Sequence, residues 1–483
     1  MQSFKILNFK KPLIQIISLG ALLRLLFNLF IAKYYFGTDN FYLGGDTMAW
    51  GSMFENLWNH GVYVYGNVAE AHEYGYFFRM PGYSFFLGFF WLLCGQNWEM
   101  AIPMAGWFQT IMDIFNIYLV YRISLLIFKH KGVAHFTALI YACYPFVIVW
   151  NPHTHSEIVG ITFGLLAVLF FLKGDSRNYL ISGIMLAIAS FMRPQYLFLA
   201  PIFGLLLILL QKSDVKTLMK NATLLGLGFA LIYGPWPMRN YFNYGKLIVT
   251  QDLRGAPHWD VDVINFMQYI YSVKTEWEPQ MSQILGQSDV EIPKIILNHP
   301  NEAAELKVLF EKAKSCSRGF SYWKTAQRKY QKERGCTDEV AMGFKELRAR
   351  HIKMFPLNYY IILPLQNLKK ALLKSSLSGE KTTIKKLASS LFIIRTLLIL
   401  LGIAGLILMM RNKVNLPVVL MIGVFFITIY LFLCAGTSPQ MRNIEVRYFL
   451  QADIFLLFPA AWMLFHLIRK IFPKKFNWDS TLN

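Results

Sequence analysis

The chain has 483 residues, of which 55% are hydrophobic and only 16% are charged, and its formal net charge is +20. Apolar runs approaching the ~20 residues that span a bilayer recur along it, so the composition excludes an ordinary soluble protein. Lys and Arg concentrate in the short gaps between these runs, as in cytoplasmic loops, which argues against a nucleic-acid partner. We therefore predict an all-α, polytopic membrane protein.

The first predicted span covers residues 12–35, and a short amphipathic helix follows it. The span comes after three lysines and lacks a small-residue cleavage site, so we interpret it as retained rather than as a cleaved signal peptide. The turn Gly44-Gly45-Asp46-Thr47 opens the helix. Asp46 has two interpretations: an N-cap that accepts from free backbone N–H groups, or a general base at the outer membrane surface.

A second candidate motif, Arg79-Met80-Pro81-Gly82-Tyr83, begins an apolar run that ends near Gly95. The run from Pro81 would reach only ~22 Å as a helix, so we predict that it lies at the membrane interface, within a first outer loop of residues 36–102. Arg79 and Tyr83 are candidate substrate-binding residues. Arg79 would either snorkel to lipid headgroups or bind a lipid-linked phosphate in bidentate fashion.

Basic clusters set the predicted topology, because Lys and Arg are enriched in cytoplasmic loops. The clusters lie at 129–131, 173–177, 212–220, 411–413 and 469–475. Placing all of them in the cytoplasm puts both termini inside and predicts ten spans. These spans are 12–35, 103–128, 133–150, 157–172, 178–192, 195–211, 221–238, 389–410, 415–435 and 447–468.

The outer turn before the fourth predicted span contains His153-Thr154-His155-Ser156-Glu157. His153, His155 and Glu157 are weak candidate ligands for a divalent metal, the one cofactor that the sequence suggests. The alternative is that Ser156 caps the span while Glu157 favours its helix dipole. Glu157 is also a candidate substrate-binding residue.

Three further arginines lie at the outer ends of predicted spans. Arg193 interrupts two apolar runs, Arg239 closes the seventh span, and Arg447 opens the last, followed by Tyr448. An obligate cation at this depth needs a partner, and a phosphate is a suitable one. We therefore predict that Arg193, Arg239, Arg447 and Tyr448 bind substrate.

A long segment, residues 241–388, has the composition of a soluble domain and a net charge of +8. We place it outside, because long domains are exempt from the positive-inside rule. Its last part, around Leu365 and Lys369, is amphipathic and is predicted to lie on the outer leaflet. Cys316 and Cys336 would contribute roughly 3 kcal/mol if they formed a disulfide, and two free thiols are the alternative.

Several short motifs, in their order along the chain, resemble those of bacterial GT-C membrane glycosyltransferases of family 39. This group is related to dolichyl-phosphate-mannose protein mannosyltransferases and to lipid A aminoarabinose transferases. The resemblance covers residues 1–250 and, more faintly, 345–450. The motifs are Gly45-Asp46, Asn59-His60-Gly61-Val62-Tyr63, Arg79-Met80-Pro81-Gly82-Tyr83, Glu157, Arg193-Pro194, Pro235-Trp236, Arg239-Asn240-Tyr241 and Arg447-Tyr448.

The resemblance implies a GT-C bundle and an inverting transferase that takes a sugar from a polyprenyl-phosphate carrier. Asp46 stands in the position of the family's catalytic first-loop carboxylate, although many relatives have an acidic pair where Thr47 follows here. Together with the predicted topology, the resemblance divides the chain into three parts. These are a membrane catalytic module (1–240), an extracytoplasmic domain (241–388) and C-terminal spans (389–483). The acceptor would be a lipid, polysaccharide or protein outside a bacterial plasma membrane, and the basic domain favours an anionic one.

Three alternatives stay open at this point. A polysaccharide ligase would use a diphosphate-linked donor at a similar site. A flippase or transporter would need paired polar residues deep within the spans, where we single out Arg24, expected to pair inside the bundle, and Asp113, expected to be structural. A scaffold protein would need no outer carboxylate, so an Asp46→Asn variant separates it from an enzyme.

Overall fold

The computed structural model describes residues 11–211, 214–256, 259–275, 292–324, 333–373, 383–436 and 445–472. In these ranges the chain is helical, and its β-type pairing is one isolated bridge between Ser317 and Gly335. Lys5 and Lys10, two of the three lysines before the first predicted span, and parts of the basic clusters 212–220 and 469–475 lie outside the described ranges. The fold is thus all-α, as expected.

Most of the α-helices are joined by short connections, and several of these connections contain a single turn of another helix type. In chain order they are α1 (Lys11–Leu26), α2 (Ala32–Phe36), α3 (Thr47–His60), α4 (Pro81–Leu93), α5 (Trp98–Phe128), α6 (Lys131–Ala142), α7 (Pro145–Trp150), α8 (Glu157–Lys173), α9 (Ser176–Met192), α10 (Leu199–Gln211), α11 (Val215–Tyr233), α12 (Pro235–Tyr244), α13 (Val261–Val273), α14 (Lys294–Leu297), α15 (Pro300–Cys316), α16 (Arg318–Lys324), α17 (Thr337–Met354), α18 (Leu363–Leu373), α19 (Thr383–Arg411), α20 (Leu416–Ala435) and α21 (Val446–Ile471). Short 3₁₀ turns lie at Val68–Glu70, Gly75–Phe77, Pro194–Phe198 and Leu253–Gly255, and π-helical turns at Phe27–Ile31 and Asn358–Ile362.

Within the described residues, six helical segments are long and apolar enough to cross a membrane, which makes this a multi-pass membrane protein. Each overlaps a predicted span. They are Pro12–Phe36, Trp98–Phe128, Val215–Tyr233, Ser390–Arg411, Leu416–Ala435 and Val446–Ile471. The other four predicted spans correspond to shorter helices, so the length criterion does not establish ten crossings.

Two predicted spans were wrong in their extent because proline interrupts them. Residues 133–150 form α6 and α7 with a break between them, and Pro145 begins the second helix. The predicted span 221–238 ends at Tyr233, and Pro235 begins α12. Proline has no N–H and clashes with the preceding helical turn, so neither helix continues through it.

The predicted site residues and the basic residues lie at opposite ends of the helices that carry them. Helix α8 begins at Glu157 and ends at Lys173. Helix α21 has Arg447 in its first turn and Arg469 in its last. The bundle therefore has one strongly basic end and one end that carries the candidate site.

Contacts at the basic end bring separate clusters together. Asn415 donates to the carbonyl of Ile127 at 3.1 Å. The rings of His130 and Phe465 are 5.0 Å apart. The clusters near residues 130, 412 and 469 thus share one side of the bundle, which the predicted topology requires.

The outer segment contains a helical unit with its own hydrophobic core. Helices α13, α15, α16 and α17 pack around the rings of Phe266, Phe310, Phe320 and Phe344. A disulfide joins Cys316 to Cys336, which resolves the pairing that the sequence left open. Helix α18 packs against the end of α20, where Asn367 donates to the Cys434 carbonyl, while Leu365 is exposed as a membrane-facing residue would be.

Two ion pairs are fully buried inside the bundle. Arg24 Nε lies 2.6 Å from Asp113 Oδ2, which confirms that Arg24 pairs within the bundle. Arg395 Nε lies 2.7 Å from Asp453 Oδ2, and both partners also bond the Tyr430 hydroxyl. No local sequence pattern marks this second pair. In both, opposite charges satisfy each other, so neither is an open intramembrane charge.

Candidate active site

A cavity of about 430 Å³ lies at the non-basic end of the bundle, where α3 and α8 begin, α9 ends and α21 begins. Six of the eight predicted site residues line it. Its lining combines charged and polar groups with apolar side chains. The lining residues are Asp46, Trp50, Arg79, Ser156, Glu157, Met192, Arg193, Pro194, Gln195, Leu197, Phe198, Thr250, Gln251, Leu253, Phe432, Arg447 and Tyr448.

Asp46 lies directly before α3 but makes no capping hydrogen bond with its side chain. Its carboxylate instead pairs with Arg79, whose NH2 group is 2.7 Å from Oδ1, and it stays about one-third exposed, at 34%. The Arg79 guanidinium packs over the rings of Trp50 and Phe78, 5.0 and 4.6 Å away. The capping interpretation therefore fails, and the carboxylate faces the cavity.

Glu157, the first residue of α8, is buried and connects two arginines. Arg193 NH1 lies 2.7 Å from Glu157 Oε1, and Arg447 Nε lies 4.0 Å from the same oxygen. Arg447 NH2 is also 3.7 Å from Asp46 Oδ2, and its Nε is 2.5 Å from Glu445. Arg447 thus stands between the two carboxylates of the cavity. The predicted Ser156 cap is absent.

The charged cluster retains unused hydrogen-bonding capacity. Arg79 Nε, Arg193 Nε and Glu157 Oε2 are buried and have no hydrogen-bond partner within the described part of the chain. Gln195, which also lines the cavity, has a buried Oε1 with no hydrogen-bond partner among the described residues. Buried polar atoms are nearly always satisfied in folded proteins, so this group of atoms beside one cavity leaves hydrogen-bonding capacity for water or a polar ligand.

The two histidines of the outer turn, weak candidates for metal ligands, each contact a polar group of the protein. His153 Nδ1 lies 2.7 Å from the Phe41 carbonyl, and His155 Nδ1 lies 2.6 Å from Arg447 NH1. Burial and the Arg447 charge hold the pKa of His155 well below its ordinary value, so this ring is neutral and accepts from the guanidinium. Among the residues that the structure describes, no three His, Cys, Asp or Glu side chains form a metal-binding group.

Arg239 and Tyr83 do not line this cavity, and their contact with substrate stays a prediction. Arg239 donates to the backbone carbonyls of Tyr63 and Tyr76 and to its neighbour Asn240, so it fixes the first outer loop. Tyr83 is fully buried and donates to Gln109 at 2.6 Å. Both residues support the surroundings of the cavity.

Sequence analysis missed three contributors to the site. Trp50 and Gln195 line the cavity, and Glu445 pairs with Arg447. Glu445 and Gln195 each lie two residues from a predicted arginine. That proximity was the available signal, but neither residue type is distinctive enough to be selected by it.

Comparison with known proteins identifies the fold. Residues 79–236 match the family model described as dolichyl-phosphate-mannose-protein mannosyltransferase. A comparison with curated protein sequences finds no match. The matched range includes Arg79, Glu157 and Arg193, three of the charged cavity residues.

Two solved structures from Archaeoglobus fulgidus share the architecture. One is the oligosaccharyltransferase tethered with an acceptor peptide, with 14% identity and a TM-score of 0.54 over 96% of this chain and 50% of that chain. The other is the oligosaccharyltransferase AglB in complex with an inhibitory peptide and a dolichol-phosphate, with 15% identity and a TM-score of 0.53 over 99% and 53%. This chain therefore spans about half the length of those proteins.

ArnT from Cupriavidus metallidurans, bound to undecaprenyl phosphate, is a weaker match. It has 11% identity and a TM-score of 0.38 over 96% of this chain and 80% of that chain. The chain has the GT-C fold of membrane glycosyltransferases, and its residues 79–236 carry the sequence pattern of the dolichyl-phosphate-mannose-protein mannosyltransferase family, the resemblance indicated by its motifs.

Proposed function

We propose that this protein transfers a sugar from a polyprenyl-phosphate carrier to an extracytoplasmic acceptor, with inversion at the anomeric carbon. The observation that carries the proposal is one cavity in which a partly exposed carboxylate, Asp46, faces three arginines. The dolichol-phosphate in the AglB structure supports the same class of donor. The acceptor would be an envelope lipid, a polysaccharide or a protein.

In the proposed reaction, Asp46 accepts the proton of the acceptor hydroxyl or amine. The acceptor heteroatom forms a bond to the anomeric carbon while the bond from that carbon to the phosphate oxygen breaks. The electron pair of the broken bond leaves with the phosphate. Arg193 and Arg447 stabilise the developing charge because they are already oriented in a largely buried cavity.

Arg79 would couple donor binding to the state of the proposed base, Asp46. Its guanidinium pairs with Asp46 at 2.7 Å, and it retains an unpartnered Nε within the described structure. A donor phosphate that binds Arg79 would compete with Asp46 for that cation. The carboxylate would then be released to accept a proton when the donor is present.

The cavity also has a suitable location for a lipid-borne substrate and an external acceptor. It lies at the end of the bundle opposite the basic clusters, which favours the extracytoplasmic face of a bacterial plasma membrane. The net charge of +8 over residues 241–388 favours an anionic acceptor. The buried pairs Arg24–Asp113 and Arg395–Asp453 are paired polar residues within the spans, which the transporter alternative requires, but each pair is internally neutralised and none of the four residues lines the cavity.

The test is transfer by purified protein offered a panel of polyprenyl-phosphate sugars and envelope fractions as acceptors. Product formation with loss of the sugar from a monophosphate carrier supports the proposal. Use of a diphosphate carrier alone would indicate the ligase instead. Transfer that does not respond to Asp46→Asn would remove the assigned base.

A further inference from the structure

The first outer loop is attached to the outer helical unit by two arginines that flank its disulfide. Arg318 lies two residues after Cys316, and Arg334 lies two residues before Cys336. Both guanidinium groups reach consecutive residues of the first loop, at 72 and 73. The disulfide therefore joins the two chain segments that contact this loop.

The buried half of the attachment is a cluster of His72, Asp260 and Arg318. Arg318 Nε donates to Asp260 Oδ2 at 2.5 Å. His72 Nδ1 accepts from the Tyr74 N–H, so the ring proton is on Nε2, which lies 3.5 Å from Asp260 Oδ1 and 2.9 Å from Arg318 NH2. Asp260 therefore connects Arg318 to His72. Burial raises the pKa of the Asp260 carboxyl, but hydrogen bonds from His72 and Arg318 outweigh it, so the pKa lies below its ordinary value. Loss of Arg318 or of Asp260 would leave the other's buried charge without its ion-pair partner, which is costly.

The exposed half of the attachment is an ion pair between Arg334 and Glu73. Arg334 NH1 lies 2.6 Å from Glu73 Oε1, and Lys246 Nζ lies 4.0 Å from Glu73 Oε2. Both Arg334 and Glu73 are well exposed, so this pair contributes little stability. Its effect is to orient the loop that the buried cluster holds.

The attached segment leads directly to the cavity. The Tyr74 N–H donates to His72 Nδ1 at 3.1 Å, and the Gly75 N–H donates to the His72 carbonyl at 2.7 Å. The chain then continues through one 3₁₀ turn to Arg79, which pairs with Asp46. A shift of His72 would therefore be transmitted along a short, hydrogen-bonded segment to two charged residues of the cavity.

We propose that Arg318 and Arg334, held in place by the Cys316–Cys336 disulfide, are positioning residues for Arg79. None of these four residues of the outer unit lines the cavity. They act through the first loop, and breaking the disulfide releases that loop. The catalytic consequence rests on the proposed function, but the structural coupling is measurable without any activity.

Hydrogen–deuterium exchange of the full chain in detergent tests the coupling. The variants are Arg318→Gln and the double variant Cys316→Ser, Cys336→Ser. Arg350→Gln is the matched control, because Arg350 pairs with Glu305 in the same unit and has no contact with the first loop. We expect the peptide containing the amides of residues 74 and 75 to exchange at least ~10-fold faster in both test variants and unchanged in the control.

Two outcomes would overturn the proposal. One is first-loop exchange that is the same in all variants and in the parent. The other is faster exchange that spreads over α13 and α17, which would mean that the disulfide maintains the whole outer unit. Where a donor is found, kcat/KM for the donor should fall roughly 10- to 100-fold in the test variants and stay unchanged in the control, as expected when a phosphate-binding arginine is misplaced. Absence of activity in the parent refutes the proposed function alone, and exchange still decides this inference.

Discussion

The surroundings of Asp46 differ from those of a residue that only stabilises a helix. Asp46 occupies an N-cap position without capping, and its carboxylate pairs with Arg79 instead. Replacing Asp46 by Asn keeps the shape and removes the proton acceptor, so we expect transfer to fall by the roughly 10²–10⁴-fold typical of general-base loss. Initial rates of the purified variant measure the effect.

A matched control for this experiment lies in the same helix. Glu55 accepts from Trp98 Nε1 at 2.9 Å and does not line the cavity. Glu55→Gln should leave the rate unchanged. Near-parental turnover of the Asp46 variant would remove Asp46 from the chemistry.

Arg193 is the residue that we expect to contact the donor phosphate most directly. Arg193→Lys keeps the charge but loses the planar fork, so it should impair use of the donor. Arg193→Ala should impair it further, by roughly 10²–10³-fold, the cost of removing one donor to a developing anion. Steady-state kinetics against donor concentration measures both variants.

Arg122 provides the comparison for this substitution. Its guanidinium donates to the Tyr118 hydroxyl within α5, away from the cavity lining. Arg122→Lys should leave donor use unchanged. If both Arg193 variants use the donor like the parent, then Arg193 only anchors the protein at the membrane surface, and its pairing with Glu157 is structural.

Residue types and their depth in the membrane sufficed to predict most of the cavity, but not the direction of each side chain. Arg193 and Arg239 give the same sequence signal, a cation at the outer end of a span. The structure separates them, because Arg193 meets the buried Glu157 while Arg239 finds two backbone carbonyls of the first loop. Such carbonyl acceptors come from a distant part of the chain, and nothing in their sequence marks them.

At the scale of helices, the Arg395–Asp453 pair connects α19 to α21 inside the bundle. Removing one partner leaves the other charge buried and uncompensated, so Arg395→Met or Asp453→Leu should each cost about 3–5 kcal/mol of stability. The double variant should be less destabilised than either single one, since it removes both charges. Unfolding of the purified variants in detergent gives the ranking.

An exposed ion pair supplies the control for that series. Lys33 in α2 pairs with Asp39 in the first outer loop, and both side chains are largely exposed. Asp39→Asn should therefore change stability little. A double variant less stable than both singles would contradict the account of the Arg395–Asp453 pair.

The sequence predicted the presence of the helices more reliably than the residues at which they begin and end. Apolar length identified the six long segments, and the short run beginning at Pro81 forms a helix of 13 residues. Pro145 and Pro235 then end segments that hydropathy alone had joined, because an averaged apolar signal does not register a missing N–H. The Arg395–Asp453 pair escaped notice for a related reason: mutual neutralisation between distant helices leaves no local pattern.

At the scale of the whole molecule, the two ends of the bundle should face opposite sides of the membrane. Ala69 is exposed in the first outer loop, and Arg177 is exposed at the basic end of α9. In a background with Cys94, Cys143 and Cys434 replaced by Ser, Ala69→Cys should react with an impermeant thiol reagent on intact cells. Arg177→Cys should react only after the membrane is breached, and the reverse pattern would invert the topology.

The central claim is that one outer cavity uses Asp46 to move a sugar from a polyprenyl monophosphate. The most direct measurement incubates the purified parent, Asp46→Asn and Glu55→Gln with matched monophosphate- and diphosphate-linked sugars, and follows release of the free carrier lipid. We predict sugar transfer and release of polyprenyl phosphate by the parent and by Glu55→Gln, with loss of both in Asp46→Asn. Transfer from diphosphate carriers alone, or equal transfer by Asp46→Asn, would contradict the account.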